Sequence, residues 1–319
     1  MSGRWEKMVP SEVITEKEGM TFVTKEFRDE EKDAFVGKLF RNFTFEDCRF
    51  EKVDFNRCTF VDCTFKDIIC QPGYVQNFRG AIFVNCLFEG WSGITETTLF
   101  DEMTTNGCYF TNMHFYKCGF NKAHFVETTL INTDFLLCEL SGTVFDSCSL
   151  NGETAKEHFV GVRECVVRND VNFVNCGLTN IVFDDGLEFK GTADICSAMY
   201  AGCVRPINFN ECTLFNCTLN SYALKTKMVK CVVCDLDLKK FRLVESEISE
   251  SRFDGVKAVQ GFDVEVNISK CFFKNTDLME TDKNPYMATG FDRSKVSIDS
   301  ETVFDDESCS LFGVFSTED

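Results

Sequence analysis

Residues 38–70 read KLFRNFTFEDCRFEKVDFNRCTFVDCTFKDIIC, which places Phe40, Phe45, Phe50, Phe55, Phe60 and Phe65 five apart until Cys70 breaks the series. A period of five fits neither an α-helix, which repeats every 3.6 residues, nor a plain strand, which repeats every 2. It requires a chain that turns a corner once per repeat. Each repeat then supplies one short extended segment, and successive coils pair at about 4.8 Å.

The pattern continues through most of the chain. It resumes at Phe78, Phe83 and Phe88, stalls around Trp91 to Thr97, and then gives its longest run. That run is centred on Phe100, Thr105, Phe110, Phe115, Phe120, Phe125, Leu130, Phe135, Leu140, Phe145 and Leu150. Further copies surround Phe173, Leu178 and Phe183, then Phe209 to Leu224, Val233 to Ala258, and Ile268 to Leu278. The composition carries the same signature, with 35 Phe against 6 Tyr and 2 Trp. Of the 19 cysteines, 15 lie two residues before a central position. Positions two apart on an extended segment point the same way, so thiol and ring are expected to share the interior.

Segments such as Cys48-Arg49-Phe50-Glu51-Lys52, Val53-Asp54-Phe55-Asn56-Arg57 and Cys58-Thr59-Phe60-Val61-Asp62 resemble the pentapeptide-repeat family. Its consensus is a small residue, Asp or Asn, a central Leu or Phe, then two polar residues. The resemblance implies an all-β fold, a right-handed quadrilateral β-helix with four pentapeptides per coil. The chain departs from the consensus at its second position, where Leu99, Thr104, Tyr109, His114, Gly119, His124 and Thr129 replace Asp or Asn.

The expected organisation is an N-terminal cap over 1–37, the repeat solenoid over 38–278, and an acidic C-terminal cap over 279–319. Breaks near 73–75, 91–97, 153–162 and 201–206 read as loops leaving a corner. Caps are needed because a terminal coil exposes apolar side chains and unpaired strand edges. Such an edge also makes a homodimer through a terminal coil an expectation, with Leu311, Phe312, Val314 and Phe315 as its apolar surface.

No catalytic residue, cofactor site or metal site is expected. The cysteine phase favours reduced, buried thiols over disulfides or zinc. In the Cys231-Val-Val-Cys234 motif, Cys231 is in the inward phase and Cys234 falls one past a centre, so the two should not ligate together. His114 and His124 lie ten residues apart and therefore on opposite faces of a four-sided coil. Nothing resembles a nucleophile elbow, a phosphate-binding glycine loop or a zincin helix. The N-terminal 35 residues lack the apolar run of a targeting peptide, and no stretch approaches a membrane helix. A cytoplasmic, non-membrane protein is expected.

The net charge of −18 argues against direct nucleic-acid binding through a basic surface. By resemblance, some pentapeptide-repeat proteins imitate DNA with an acidic rod and bind type II topoisomerases. Here residues 36–278 carry 32 acids and 24 bases, net −8, too few for duplex-like spacing unless they gather on one side. The leading expectation is a non-enzymatic solenoid that presents flat β-faces and loops to a protein partner. An acidic mimic that inhibits or protects a DNA-handling enzyme, and a structural or assembly component, are the alternatives.

Two surface clusters are candidates for partner binding. Positions 20 apart should stack, which gathers Tyr116, Leu136 and Leu137 on one face with Tyr109 and Ile131 near its shared corner. The competing reading is that the loop from Trp91 to Thr97, or the one after Asn151, folds over this cluster. The second candidate is a basic docking patch for an acidic partner: Lys225, Lys227, Lys230, Lys239, Lys240 and Arg242.

Overall fold

In the computed structural model, Phe40 pairs with Phe60, Phe60 with Phe83, and Phe125 with Phe145, always in parallel register. The described residues are 6–8, 19–28, 35–94, 98–152, 161–163, 171–174, 176–179, 182–184, 205–220, 224–235, 237–238, 246–258, 266–274 and 296–305. Among them the regular structure is all strand, mostly three residues long, and none of them lies in a membrane-length apolar helix. The chain clusters into two units, Met1–Gly161 and Val162–Asp319. Each is a four-sided parallel β-solenoid built from five-residue repeats.

In the first unit the chain visits four faces in turn. The first face stacks Leu39–Arg41, Thr59–Val61, Ile82–Val84, Thr104–Asn106, His124–Val126 and Val144–Asp146. The second stacks Thr21–Val23, Thr44–Glu46, Thr64–Lys66, Leu87–Glu89, Tyr109–Thr111, Thr129–Ile131 and Ser149–Asn151. The third carries Lys25–Arg28, Arg49–Glu51 and Ile69–Cys70, and later His114–Tyr116 and Asp134–Leu136. The fourth is thinner, with Asp54, Gln76–Asn77, Thr98–Leu99, Gly119 and Glu139 bridging in sequence. Stacking extends N-terminal of Lys38, because Phe22 pairs with Phe45 and Phe27 with Phe50. The two are five apart, but the charged residues 28–33 separate them from the main series.

Three residues of each repeat form the rung and the last turns the corner. That corner residue, two past the centre, is left-handed: 22 described non-glycine residues have φ between 49° and 59°. Such a conformation costs an ordinary side chain about 1–2 kcal/mol, less for Asn and Asp. Hydrogen bonds to the neighbouring coil compensate: Glu127 donates its N–H to Asp146 O at 2.9 Å and Phe120 donates to Glu139 O at 2.8 Å.

The core is a set of ring columns. The 4.8 Å coil spacing forces near-parallel stacking along a face: Phe45–Phe65 at 5.0 Å, Phe88–Phe110 at 4.4 Å, Phe100–Phe120 at 4.9 Å. Across a corner the rings meet edge to face, as Phe115 and Phe120 do at 4.9 Å and 86°. Both geometries match the ring quadrupole, positive edge against negative face.

The residue two before the centre fills the corner the ring leaves, and it also donates a hydrogen bond. Cys63 Sγ–H points to Phe40 O, Cys86 to Phe60 O, Cys148 to Phe125 O, always the central carbonyl of the preceding face one coil back. Thr143 gives the same bond to Phe120 O at 2.7 Å, Gln76 gives it to Phe50 O and Ser251 to Met228 O. The thiols are therefore small donors as well as small hydrophobes, which explains why Cys, Thr and Ser share the position with Ala.

Where the centre is small, its partner two residues earlier is large. Met103 precedes Thr105, Ile68 precedes Cys70, and Trp91 precedes Gly93; all but Gly93 are buried. Trp91 turns inward among Phe50, Phe65, Phe78 and Phe88, and its indole N–H takes the usual acceptor, Phe65 O, at 3.2 Å. Gly93 is obligatory there, since a Cβ would lie 2.0 Å from Cys70 O and φ is +72°. The small Thr105 centre keeps its hydroxyl bonded to Thr128 at 2.8 Å. These exchanges of size account for the points where the phenylalanine series falters.

In the second unit the central column of one face runs Phe173, Phe209, Met228, Ile248, Ile268 and Ile298. The next runs Leu178, Leu214, Val233, Phe253, Phe273 and Phe304. Expected loops at 153–162 and 201–206 lie largely outside the described residues, as do His158 and the tail residues Leu311, Phe312, Val314 and Phe315.

Candidate binding faces

With the central residue and the one two before it committed to the interior, chemistry toward solvent belongs to the residues flanking each centre. Those flanking residues differ sharply from face to face. On the fourth face they are mostly polar, Leu99 and Gly119 apart, and bonded to each other along the stack. Arg79 pairs with Asp101 at 3.0 Å, and Asn121 donates to Asp101 and to Glu139, each at 3.1 Å. This is a solvated surface with its own lateral bonds.

The third face has a different upper half. Tyr116 stands in register with Leu136, and His114 with Asp134. Tyr116 is 39% exposed, Leu136 and Leu137 are half-buried, and Leu137 occupies a left-handed corner at φ 56°. Lys117 Nζ sits 5.1 Å from the Tyr116 ring centre. Asp134 is only 4% exposed, and its Oδ1 lies 2.7 Å from His114 Nδ1, accepting from it in the tautomer that carries the proton there. The carboxylate thus holds the imidazole against the face while most of that ring stays open to solvent. His124 lies on the first face, opposite His114.

Tyr109 and Ile131 are 54% and 37% exposed on the second face. They sit at its opposite edges. Ile131 follows its centre and lies beside the corner shared with the third face, whereas Tyr109 precedes its centre and lies at the far edge. Across that corner stand His114 and Asp134, whereas Tyr116 and Leu136 follow their own centres and lie at the far edge of the third face, so neither Tyr109 nor Ile131 sits beside them. Trp91, the head of one proposed covering loop, is in the core. Ile94 of the same loop is buried as well, and residues 95–97 and 153–160 lie outside the described residues.

The basic cluster is tied into its own unit. Lys227 pairs with Glu247 at 3.6 Å and Lys230 with Glu211 at 3.6 Å, each on an adjacent coil. Lys225 belongs to a strand that pairs with Arg205–Pro206. Lys239, Lys240 and Arg242 lie outside the described residues.

Among the 15 described cysteines, 14 are buried and Cys234 is half-buried while Cys231 is 1% exposed, so that pair splits between outside and inside. Burial pushes Cys48 up to about 11 and Cys58 and Cys231 up to about 12, which suppresses the reactive thiolate. No group of three metal-ligating side chains occurs among the described residues.

One apolar surface escaped the 20-residue stacking rule. The flanking residues of the first face are Leu39, Thr59, Ile82, Thr104, His124 and Val144 on one edge, with Arg41, Val61, Val84, Asn106, Val126 and Asp146 on the other. Leu39 is 54% exposed and Ile82 43%. Phe83 stacks on Phe60 at a separation of 23 residues and Thr105 on Phe83 at 22, so two short insertions hide the alignment.

No protein-family model matches the sequence. No curated protein matches it either. Among solved structures, the chain is similar to HetL, a pentapeptide repeat protein involved in heterocyst differentiation regulation from the cyanobacterium Nostoc sp. strain PCC 7120. Identity is 9%, coverage 82% of this chain and 84% of that one, and the TM-score 0.31. It is also similar to full-length QnrB1, a plasmid-mediated fluoroquinolone resistance protein, at 15% identity, 93% and 99% coverage and TM-score 0.20. The catalytic domain of a GH87 α-1,3-glucanase matches at 6% identity, 95% and 68% coverage and TM-score 0.31. Scores this low carry no argument about function; the pentapeptide-repeat solenoid rests on the strand pairing and core geometry above.

Proposed function

We propose that this pentapeptide-repeat solenoid is a non-enzymatic, cytoplasmic binding protein that engages a protein partner through the upper third face, around Tyr116 and Leu136. The observation that carries the reading is the exposure of Tyr116 above Leu136 on a face whose neighbour, the fourth, is mostly polar. Tyrosine with an aliphatic floor and a charged rim is the composition of an interface centre. His114, held by Asp134, and Lys117 supply that rim. A rigid face also loses little conformational entropy on binding. An interior stocked with free thiols suits a reducing compartment.

Acidic mimicry has less support. In the second unit, carboxylates alternate with lysines from coil to coil, as in Glu211–Lys230, Lys227–Glu247 and Lys270–Glu301, which breaks up a continuous negative stripe.

The test is affinity capture from the native host with the full chain and with the Tyr116→Ser/Leu136→Asp variant. The expected result is a partner held by the parent and lost by the variant at unchanged melting temperature. A variant that unfolds makes the cluster internal packing and overturns the reading. Binding that ignores the variant but collapses with modest salt points instead to the acidic surface.

A further inference from the structure

The first face of the first unit has a pattern that the partner-binding reading does not use. Its downstream edge reads Arg41, Val61, Val84, Asn106, Val126, Asp146 from the first coil to the sixth. One cation stands at one end, one carboxylate at the other, and the four residues between are uncharged. Its upstream edge, Leu39, Thr59, Ile82, Thr104, His124 and Val144, carries no carboxylate, lysine or arginine. In a chain of net charge −18 with 26% charged residues, a twelve-residue outward surface with two opposite charges at its extremes is unusual.

A two-fold axis lying in this face and parallel to its strands preserves strand direction and inverts the order of the coils. Each edge then meets the same edge of a second copy, with the first rung against the sixth. Arg41 faces Asp146, Val61 faces Val126, and Val84 faces Asn106. On the other edge Leu39 faces Val144, Thr59 faces His124, and Ile82 faces Thr104. Every charge meets its opposite, and each exposed aliphatic of the upstream edge meets an aliphatic or a threonine. A two-fold axis along the solenoid instead keeps the order of the coils and reverses the strands, setting Arg41 against Leu39 and Asp146 against Val144, so that each charge meets an aliphatic.

We infer that the first face of this unit is the contact of an antiparallel, face-to-face homodimer. Self-complementary surfaces of this kind are what a two-fold interface requires, and two flat β-faces pack about 10 Å apart with flanking side chains interleaved. Six rungs of three residues give a footprint on the order of 300 Å² per copy. That is below the roughly 800 Å² per partner of a standard stable interface. The association is therefore reversible and concentration-dependent. It differs from a terminal-coil dimer in using a side of the solenoid, and it leaves Tyr116 and Leu136 free for a partner.

The geometry makes a specific demand on charge variants. In Arg41→Asp homodimers both end contacts become Asp against Asp, and in Asp146→Arg homodimers both become Arg against Arg. An equimolar mixture of the two variants restores both Arg–Asp contacts in the heterodimer. Sedimentation velocity of the full chain across a concentration series at low salt reads the outcome. Each variant alone is expected to dissociate at least tenfold more readily than the parent, and the mixture to return to the parental curve. Recovery in the mixture also shows that both variants are folded. A parent that stays monomeric at every concentration overturns the inference. So does a dimer indifferent to both variants, a mixture that stays dissociated, or a dimer lost only when residues 309–319 are removed.

Discussion

The two units share one backbone rule and hold their coils together with different side chains. In the first unit the centres are mostly phenylalanines stacked in columns, and the first face outside them is largely aliphatic and threonine. In the second, one central column turns aliphatic from Met228 onward. Its flanking and corner positions carry charge pairs in register: Lys227–Glu247, Glu211–Lys230, Lys274–Asp254 and Lys270–Glu301. The interior tolerates either solution because it asks mainly for enough volume, with a side-chain donor in many repeats but not all. The exterior is under no such constraint, so differences between the faces are where function is written.

The largest expected effect is on the aromatic columns. Phe120 is fully buried against Phe100, Phe115 and Phe135. Phe120→Ala is expected to cost about 3–5 kcal/mol in a denaturant titration, against a loss toward the lower end of about 2–5 kcal/mol for Ile248→Ala. Equal losses would erase the proposed contrast between the units.

Alkaline pH attacks both interiors. A thiol whose folded pKa is raised favours the folded state fully below its ordinary value near 9, and that contribution disappears as pH rises through the folded value. With Cys48 near 11 and Cys58 and Cys231 near 12, stability should hold to about pH 9 and fall progressively between pH 9 and 12. A chemical-denaturation midpoint that stays flat to pH 11 would contradict the buried-thiol account.

Smaller effects separate the exteriors. Exposed ion pairs are worth about 0.2–1 kcal/mol each and weaken with salt. Lys230→Ala should therefore cost under about 1 kcal/mol at low salt and almost nothing at high salt. At the corner beside the candidate partner face, Leu137→Gly should stabilise by roughly 0.5–1 kcal/mol, because it relieves a left-handed leucine. A destabilisation would show that the Leu137 side chain packs more than its half-burial suggests.

Much of this was legible in the chain before any coordinates. The five-residue period and the inward cysteine phase specify strands, corners and core, and positions 20 apart correctly align Tyr116 with Leu136. Two things were not legible. The exchanges at Ile68/Cys70, Trp91/Gly93 and Met103/Thr105 look like interruptions when only the central position is read, because in these pairs the bulk sits two residues before the centre. The first-face strip from Leu39 to Val144 was hidden because insertions after Cys70 and after Gly93 change the stacking interval from 20 to 23 and 22 residues. A short insertion leaves the backbone ladder intact, since the extra residues leave at a corner, yet it shifts every later position in a fixed-period count.

The pairing of a large residue with a smaller one in most repeats, in either order, is the premise on which the faces, and the sites on them, are assigned. It is tested most directly by rewriting one inverted pair. Met103→Cys alone should open a cavity and Thr105→Phe alone should overpack the core, each destabilising by about 1–3 kcal/mol. The double variant restores the ordinary order of thiol and ring and should recover most of that loss in a thermal or denaturant cycle. Losses that simply add, leaving the double variant the least stable of the set, would contradict the account.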